Sequence, residues 1–204
     1  IDWKNKKNRK PLILNGARQV GKTYILREFG SQCYEKMAYV NCDKNKMLEK
    51  IFSQDYNISR ILLSLSAILH VNIEPDNTLI VFDEIQESPT VLNSLKYFCE
   101  DAPQYHVAVA GSLLGISLHC DTSFPVGKVA MIKMYPMTFD EFLMAIGEQP
   151  LVDVLATKDF SIIDSLSVRL IDCLRLYYYV GGMPAAVLAH AEQKGLQEVR
   201  SIQQ

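Results

Sequence analysis

Short apolar runs alternate with segments of helical periodicity along most of the chain. The apolar runs predict five strands, at residues 11–15, 37–42, 78–82, 105–110 and 128–135. Helical patterns lie between them, at residues 24–29, 46–53, 58–69 and 89–99. The third apolar run is continuous, which is typical of a strand that is buried on both faces of a parallel sheet. The alternation therefore predicts a three-layer α/β domain, with a parallel five-stranded sheet between two layers of helices.

The strand pattern stops in the last part of the chain. Helical segments at residues 162–176 and 184–195 flank the turn-forming sequence Gly181-Gly182-Met183-Pro184. We therefore expect two domains, a main α/β domain over residues 1–149 and a small helical C-terminal appendage over residues 150–204.

A glycine-rich motif follows the first predicted strand. Residues 16–23 fit the phosphate-loop pattern G-x-x-x-x-G-K-[ST] at each fixed position, and a helical segment follows them. In this strand–loop–helix context, backbone N–H groups and a helix N-terminus face a phosphate. Gly16 and Gly21 leave room where the backbone must curl. Lys22 is expected to reach the β- and γ-phosphates, and the Thr23 hydroxyl to ligate Mg²⁺.

The alternative for this motif is a glycine turn beside a chance lysine, which the flanking segments disfavour. The candidate nucleotide-binding residues are Gly16, Ala17, Arg18, Gln19, Val20, Gly21, Lys22, Thr23 and Tyr24.

An acidic pair follows the continuously apolar run. Asp83 and Glu84 stand directly after it, which is the Walker B pattern. Asp83 is expected to hold Mg²⁺ through water, and Glu84 to polarise the water that attacks the γ-phosphate. Phosphoryl transfer needs both, because it depends mainly on positioning and charge stabilisation. Two solvated acids in a turn are the alternative, which the upstream phosphate loop makes weaker.

The interval between the two motifs has room for an extra strand, which residues 37–42 supply. P-loop ATPases of the additional-strand type (ASCE) have this spacing and insert the next strand, here residues 105–110, between the two motif strands. The end of that strand would bring Ser112 to the γ-phosphate as a sensor, so that Glu84, Lys22 and Ser112 are the candidate catalytic residues. An N-cap for a short helix is the alternative role for Ser112.

The sequence identifies the base of the nucleotide and the catalytic cation less clearly. The guanine-recognition element Asn-Lys-x-Asp is absent, since Asn45-Lys46 is followed by Met47-Leu48. ATP with Mg²⁺ is therefore the expected cofactor pair. Arg18 and Lys128 are candidates for a cation that neutralises transition-state charge, with an ordinary surface position as the alternative for each.

The composition is that of an ordinary globular protein, with 49% apolar and 22% charged residues among 204 and a net charge of −2. This charge gives no overall attraction to nucleic acid or acidic lipid, and no segment reaches the roughly 20 apolar residues of a membrane helix.

The basic segment at residues 3–10 is either solvated or a contact for a phosphate backbone. The five cysteines form no C-x-x-C pair, which favours reduced thiols in a cytoplasmic protein.

The chain begins with Ile1 rather than methionine and stops within a helix-like sequence, so we expect it to be a fragment of a longer protein.

Several segments together carry a resemblance to a known family. In chain order they are residues 14–23, 82–86, 110–112, 123–128, 135–142 and 181–184. They resemble the prokaryotic AAA-type ATPases of the fourteenth AAA domain family. The resemblance implies an ATP-binding domain of the additional-strand type, then a helical or winged-helix-like linker, and a C-terminal domain of unknown function that this chain stops before. Many members carry arginine where Lys128 stands, and lysine lacks the planar fork that binds phosphate through two donors.

Residues and resemblance together predict a Mg²⁺-dependent ATPase that couples its nucleotide state to domain movement. The alternative is a slow ATP-dependent switch or binding module that presents a DNA- or protein-binding surface. Retention of Glu84 favours hydrolysis, whereas the lack of an assigned arginine finger, worth about 10³–10⁵ in rate, favours the switch. Candidate partners besides ATP are DNA or a protein bound through the missing C-terminal part, and further copies of the chain. No membrane partner is expected.

Overall fold

The chain divides into two compact units. The structure is a computed structural model, and it describes residues 1–112, 124–192 and 195–203. One unit spans Ile1–Met134 and the other Tyr135–Gln204. The expected domain boundary at residue 149 lies inside the second unit, because the helix Phe139–Ala145 packs with helices that follow it in the sequence.

The first unit is built on a five-stranded parallel sheet. Its strands are β1 (Leu12–Gly16), β2 (Lys36–Asn41), β3 (Thr78–Asp83), β4 (His106–Ser112) and β5 (Ala130–Met134). Its helices are α1 (Lys22–Cys33), α2 (Lys46–Gln54), α3 (Ile58–Leu69) and α4 (Pro89–Asp101), with a 3₁₀ turn at Ile85–Glu87. The predicted parallel α/β fold is confirmed, and the element ends differ from the predicted ones by a few residues.

The order of strands across the sheet is β2-β3-β4-β1-β5. β4 therefore lies between the strand before the phosphate loop and the strand before the acidic pair, as the additional-strand arrangement predicts. Gly16 pairs with Ser112 on one side and with Met134 on the other, and Asn41 pairs with Asp83. Since the strands are parallel, their carboxyl ends share one edge of the sheet, where ligands bind in such folds. We call it the carboxyl edge, and the opposite one the amino edge.

Helices cover both faces of the sheet. In β3, Leu79 and Val81 belong to the core that includes Leu26 of α1, whereas Ile80 and Phe82 belong to the larger core with α2, α3 and α4. The alternation follows from the two-residue period of a strand, and burial on both faces explains why the run is continuously apolar. Asp83 follows Val81 in this alternation, so its side chain lies on the α1 side of the sheet.

The basic N-terminal segment is part of the folded first unit, at the amino edge. Trp3 is 7% exposed, its indole N–H donates to the Lys10 carbonyl at 2.7 Å, and its ring packs edge-on against His106. Asp76 Oδ1 lies 3.6 Å from Arg9 Nη2 and 3.1 Å from His106 Nε2. Burial lowers the pKa of His106, as expected for a histidine used in packing. The sequence predicts that this segment is either solvated or a contact for a phosphate backbone. Neither prediction includes its packing against the amino edge of the sheet.

The described residues of the second unit form helices joined by short turns. Its helices are α5 (Phe139–Ala145), α6 (Gln149–Thr157), α7 (Phe160–Ser165), α8 (Ser167–Val180), α9 (Pro184–Ala191) and α10 (Leu196–Gln203). Thr138 and Glu141 form a capping box at the start of α5. The turn before α9 approaches the turn before α5 so closely that a Cβ at Gly182 would lie 2.4 Å from the Met137 carbonyl oxygen. In the described part of the chain, no helix has the length and apolar character required to span a bilayer.

Replacing Trp3 with alanine is expected to lower the free energy of unfolding of the first unit by about 3–5 kcal/mol, because the lost aromatic side chain leaves a cavity. Denaturant unfolding measures this change. Leu63→Ala is the control, since Leu63 is 73% exposed on α3 and its loss should change stability by no more than about 0.5 kcal/mol. A Trp3→Ala variant as stable as the wild type would contradict a structural role for the N-terminal segment.

Candidate functional site

The phosphate-loop motif lies at the carboxyl edge, between β1 and α1. Gly21 is the N-cap of α1 and adopts the left-handed conformation, with a φ of 91°, and Gln19 has a φ of 64°. Gly16 is required for a different reason, because a Cβ there would lie 2.3 Å from the Met134 carbonyl oxygen. The backbone therefore curls between Gln19 and Gly21, and Gly16 makes room for β5.

The loop presents its backbone rather than a set of side-chain ligands. Val20 is 1% exposed and anchors the loop in the unit, whereas Ala17, Arg18 and Gln19 are exposed. Tyr24, in the first turn of α1, is 70% exposed. The N–H groups of a first helical turn have no acceptor within the helix, so they are available to a phosphate at this edge.

Lys22 is the first residue of α1, and its ammonium group lies against the loop. Nζ donates to the carbonyl oxygens of Gly16 at 3.1 Å and Ala17 at 2.6 Å. Burial lowers the pKa of Lys22, while the charges of Glu84 and Asp83 oppose this shift. A phosphate oxygen is a charged and therefore stronger acceptor than these carbonyls for the same ammonium group.

The side chains of Thr23 and Asp83 meet beneath the loop. Thr23 Oγ1 donates to Asp83 Oδ2 at 2.8 Å, and the Tyr39 hydroxyl from β2 donates to the same oxygen at 2.7 Å. The Arg27 guanidinium lies 4.3 Å from the centre of the Tyr39 ring. Burial raises the pKa of Tyr39, and its hydrogen bond to Asp83 raises it further. Asp83 itself is 4% exposed, so two hydroxyl donors compensate for its removal from water.

The oxygens of Thr23 and Asp83 fit a magnesium ion. Hydroxyl and carboxylate oxygens are ligands that Mg²⁺ uses, and it commonly takes one or two carboxylates together with substrate phosphates and water. Across the described ranges, no group of three histidine, cysteine, aspartate or glutamate residues is positioned to hold a metal alone. Phosphate oxygens and water would therefore complete the shell of an ion bound here.

Glu84 and Ser112 are joined through a third residue, Gln86. Gln86 Nε2 donates to Glu84 Oε2 at 2.5 Å, and the Ser112 N–H donates to Gln86 Oε1 at 3.2 Å. Glu84 has a left-handed backbone with a φ of 52°, and its N–H donates to Asp83 Oδ1 at 3.0 Å. Glu84, Ser112 and Asp83 thus lie together at the carboxyl edge. The alternative role for Ser112 is to cap a short helix, and the residues predicted to form that helix lie outside the described ones.

The two candidate cations lie at opposite edges of the sheet. Arg18 is exposed on the phosphate loop. Lys128 precedes β5, whose first residue, Ala130, pairs with Leu12 at the amino edge. Its Nζ lies 2.8 Å from Glu100 Oε1. This position favours an ordinary surface ion pair for Lys128 rather than a contact with the phosphate loop of its own chain.

A cysteine is buried beside the acidic pair. The Cys42 N–H donates to the Asp83 carbonyl at 2.9 Å. Burial raises the pKa of the Cys42 thiol to about 12, and the charges of Asp83 and Glu84 add to this shift. The thiol therefore stays protonated at neutral pH and is inert as a nucleophile. The other described cysteines are also free: Cys33, Cys99 and Cys173. Cys120 lies outside the described residues.

Tyr39 and Gln86 contact the acidic pair, and the motifs do not reveal them. Tyr39 occupies an ordinary position within the second strand, and only the pairing of Asn41 with Asp83 brings it near the acidic pair. Gln86 stands two residues after Glu84. It belongs to residues 82–86, one of the segments that carry the family resemblance.

Comparison with known proteins agrees with this geometry. The sequence model of a family described as AAA domain, the fourteenth family of that name, matches residues 8–143, which is more than half of the chain. No curated protein matches the chain in sequence.

Two solved structures share the fold. The Walker-type ATPase PABY2304 of Pyrococcus abyssi is 15% identical, with a TM-score of 0.54 over 95% of this chain and 66% of that chain. The structure of Drosophila ORC bound to DNA is 14% identical, with a TM-score of 0.55 over 95% of this chain and 61% of that chain. The chain thus spans less than two thirds of the length of each, and at this identity the likeness establishes the fold alone. The family match is the more specific finding, and by it the chain belongs to the AAA domain family of P-loop ATPases.

Proposed function

We propose that the first unit binds ATP with Mg²⁺ and hydrolyses the bond between the β- and γ-phosphates. The observation that carries this proposal is the meeting of the phosphate loop with the acidic pair, through the hydrogen bond from Thr23 Oγ1 to Asp83 Oδ2 at 2.8 Å. This contact brings the candidate Mg²⁺ ligands Thr23 and Asp83 together on one stretch of the carboxyl edge, where Lys22 and Glu84 also lie. Membership of a family of P-loop ATPases supports nucleotide binding at this edge.

The phosphate chain is held by backbone amides and by one cation. The N–H groups of the loop and of the first turn of α1 donate to the phosphate oxygens. Lys22 exchanges its carbonyl acceptors on Gly16 and Ala17 for oxygens of the β- and γ-phosphates. Thr23 would hold Mg²⁺ directly and Asp83 would hold it through water, and the bound ion would neutralise charge that develops on the phosphate oxygens.

Glu84 and Ser112 act on the γ-phosphate side. The Glu84 carboxylate accepts a hydrogen bond from the attacking water and orients its oxygen toward the γ-phosphorus. That oxygen forms the new bond and its proton passes to the Glu84 carboxylate, while the bond from phosphorus to the β,γ-bridging oxygen breaks, which leaves ADP and inorganic phosphate. The pairing of Ser112 with Gly16, at the start of the loop, supports a contact between Ser112 and the γ-phosphate.

Replacing Glu84 with glutamine is expected to lower kcat about 10²-fold or more while the Kd for ATP stays unchanged, because the amide cannot act as a general base. Steady-state phosphate release and binding of a fluorescent ATP analogue measure the two quantities. Glu87→Gln is the matched control, since Glu87 is exposed in the same 3₁₀ turn. A wild-type rate as low as that of Glu84→Gln, with ATP still bound, would contradict hydrolysis and favour the slow switch.

Replacing Lys22 with alanine is expected to abolish ATP binding and to leave the melting temperature nearly unchanged, since the ammonium group makes only partly exposed hydrogen bonds to the loop. Calorimetric titration with ATP and a thermal melt test this. Lys50→Ala, at an exposed position of α2, serves as the control. Unchanged ATP affinity in Lys22→Ala would mean that the phosphate site is misassigned.

Replacing Tyr39 with phenylalanine is expected to raise the Mg²⁺ concentration for half-maximal phosphate release about 10-fold, because groups that orient a metal ligand typically affect metal affinity by 10–100-fold. The rate at saturating Mg²⁺ should stay close to that of the wild type. Tyr105→Phe, on the turn before β4 at the amino edge, is the control. If the two variants have the same Mg²⁺ dependence, Tyr39 does not orient Asp83 toward a metal ion.

A further inference from the structure

We propose that Gln86 is a positioning residue for ATP hydrolysis, because its carboxamide fixes the direction of the Glu84 carboxylate and ties it to the end of β4. The inference rests on the proposed function, in which Glu84 orients the attacking water. It assigns a role to a side chain that is neither in the phosphate loop nor in the acidic pair.

The direction of the carboxamide follows from the chemistry of Glu84 and of the Ser112 N–H. A main-chain N–H can only donate, so the Ser112 N–H, at 3.2 Å, requires the carbonyl oxygen of Gln86 on that side. The amide nitrogen then faces Glu84, and it donates to Oε2 at 2.5 Å. A carboxylate can only accept, so the opposite orientation of the amide would break both contacts.

Burial makes this bridge rigid. Gln86 is 8% exposed, and a buried amide that loses its partners is costly, so the side chain stays in its bonded orientation. Glu84 is only partly buried, and it sits on a left-handed backbone that residues with a Cβ adopt uncommonly. Gln86 therefore supplies the orientation that the backbone of Glu84 alone does not fix.

The bridge also joins two strands that flank the reaction. Its ends are Glu84, directly after β3, and Ser112, the last residue of β4. Hydrolysis requires the general base and the γ-phosphate contact to be held in register, and an error of about 1 Å in such an arrangement can cost about 10²-fold in rate. A carboxamide that spans both strand ends keeps them in register.

Two substitutions of Gln86 separate positioning of Glu84 from simple packing. Gln86→Met keeps the length and removes the hydrogen bonds to Glu84 and to the Ser112 N–H. Gln86→Glu keeps an acceptor for the Ser112 N–H but puts a second carboxylate against Glu84 in place of the amide donor. Both substitutions are expected to lower kcat about 10- to 100-fold. The Kd for ATP should stay within about twofold of the wild-type value, because Gln86 is proposed to act on Glu84 and not on the nucleotide. Gln32→Met is the matched control, since Gln32 makes the same kind of amide–carboxylate bond, to Glu28 at 3.0 Å, on the exposed surface of α1.

A double-mutant cycle gives the readout that a packing role would not produce. In the Glu84→Gln background, Gln86→Met is expected to leave the residual rate unchanged, because Gln86 acts through the carboxylate that is already lost. Melting temperatures of all variants are measured alongside, so that loss of fold is separated from loss of rate. If Gln86→Met does not fold, Gln86→Leu carries the same cycle, since it also removes the bonds to Glu84 and to the Ser112 N–H and adds no charge.

Three results would overturn the inference: an equal fall in rate in both backgrounds, wild-type kcat in Gln86→Glu, or a higher kcat in Gln86→Met. The first two results would mean that Gln86 only packs in the core or tethers β4. The third would mean that its hydrogen bond to Glu84 restrains the carboxylate instead of orienting it for catalysis. A wild-type rate no higher than that of Glu84→Gln removes the ATPase proposal and this inference with it. Wild-type hydrolysis that Gln86 variants leave unchanged removes this inference alone.

Discussion

The hydrogen bond from the Thr23 hydroxyl to the Asp83 carboxylate joins two segments that are 60 residues apart in the sequence. Each segment matches a motif, and the contact brings the amides and the ammonium group of the first motif together with the carboxylates of the second. Asp83 remains buried because Thr23 and Tyr39 both donate to one of its oxygens. Without such donors, burial of the Asp83 carboxylate would lower the free energy of unfolding, because the charge would lose its hydrogen bonds to water.

The parallel sheet makes this contact possible. β1 lies between β4 and β5, so that the first glycine of the loop is flanked by Ser112 and Met134. The fit is tight enough that a Cβ at Gly16 would lie 2.3 Å from a carbonyl oxygen of β5. The same packing brings the ends of β3 and β4 together, where Gln86 spans them. One strand order thus brings together the loop, the acidic pair and Ser112.

The parts of this arrangement that local patterns encode could be predicted from the sequence. The apolar run before Asp83 is continuous because β3 is buried on both faces, and the phosphate-loop glycines reflect backbone demands that few residues meet. Tyr39 could not be predicted, because its contact with Asp83 depends on the register of β2 against β3. The sequence predicts that the first domain ends at residue 149, whereas the first unit ends at Met134. The reason is similar, since α5 packs with helices that follow it in the sequence. The structural use of Trp3 depends on contacts with His106, a residue far away in the sequence.

A crystal structure of the chain with a nonhydrolysable ATP analogue and Mg²⁺ tests the central claim most directly. The account predicts phosphate oxygens on the N–H groups of the loop and on Lys22 Nζ, with the ion bound at Thr23 Oγ1 and Asp83 and with Glu84 directed toward the γ-phosphate. An analogue bound elsewhere, with the loop filled by protein side chains and both acids turned away, would contradict it.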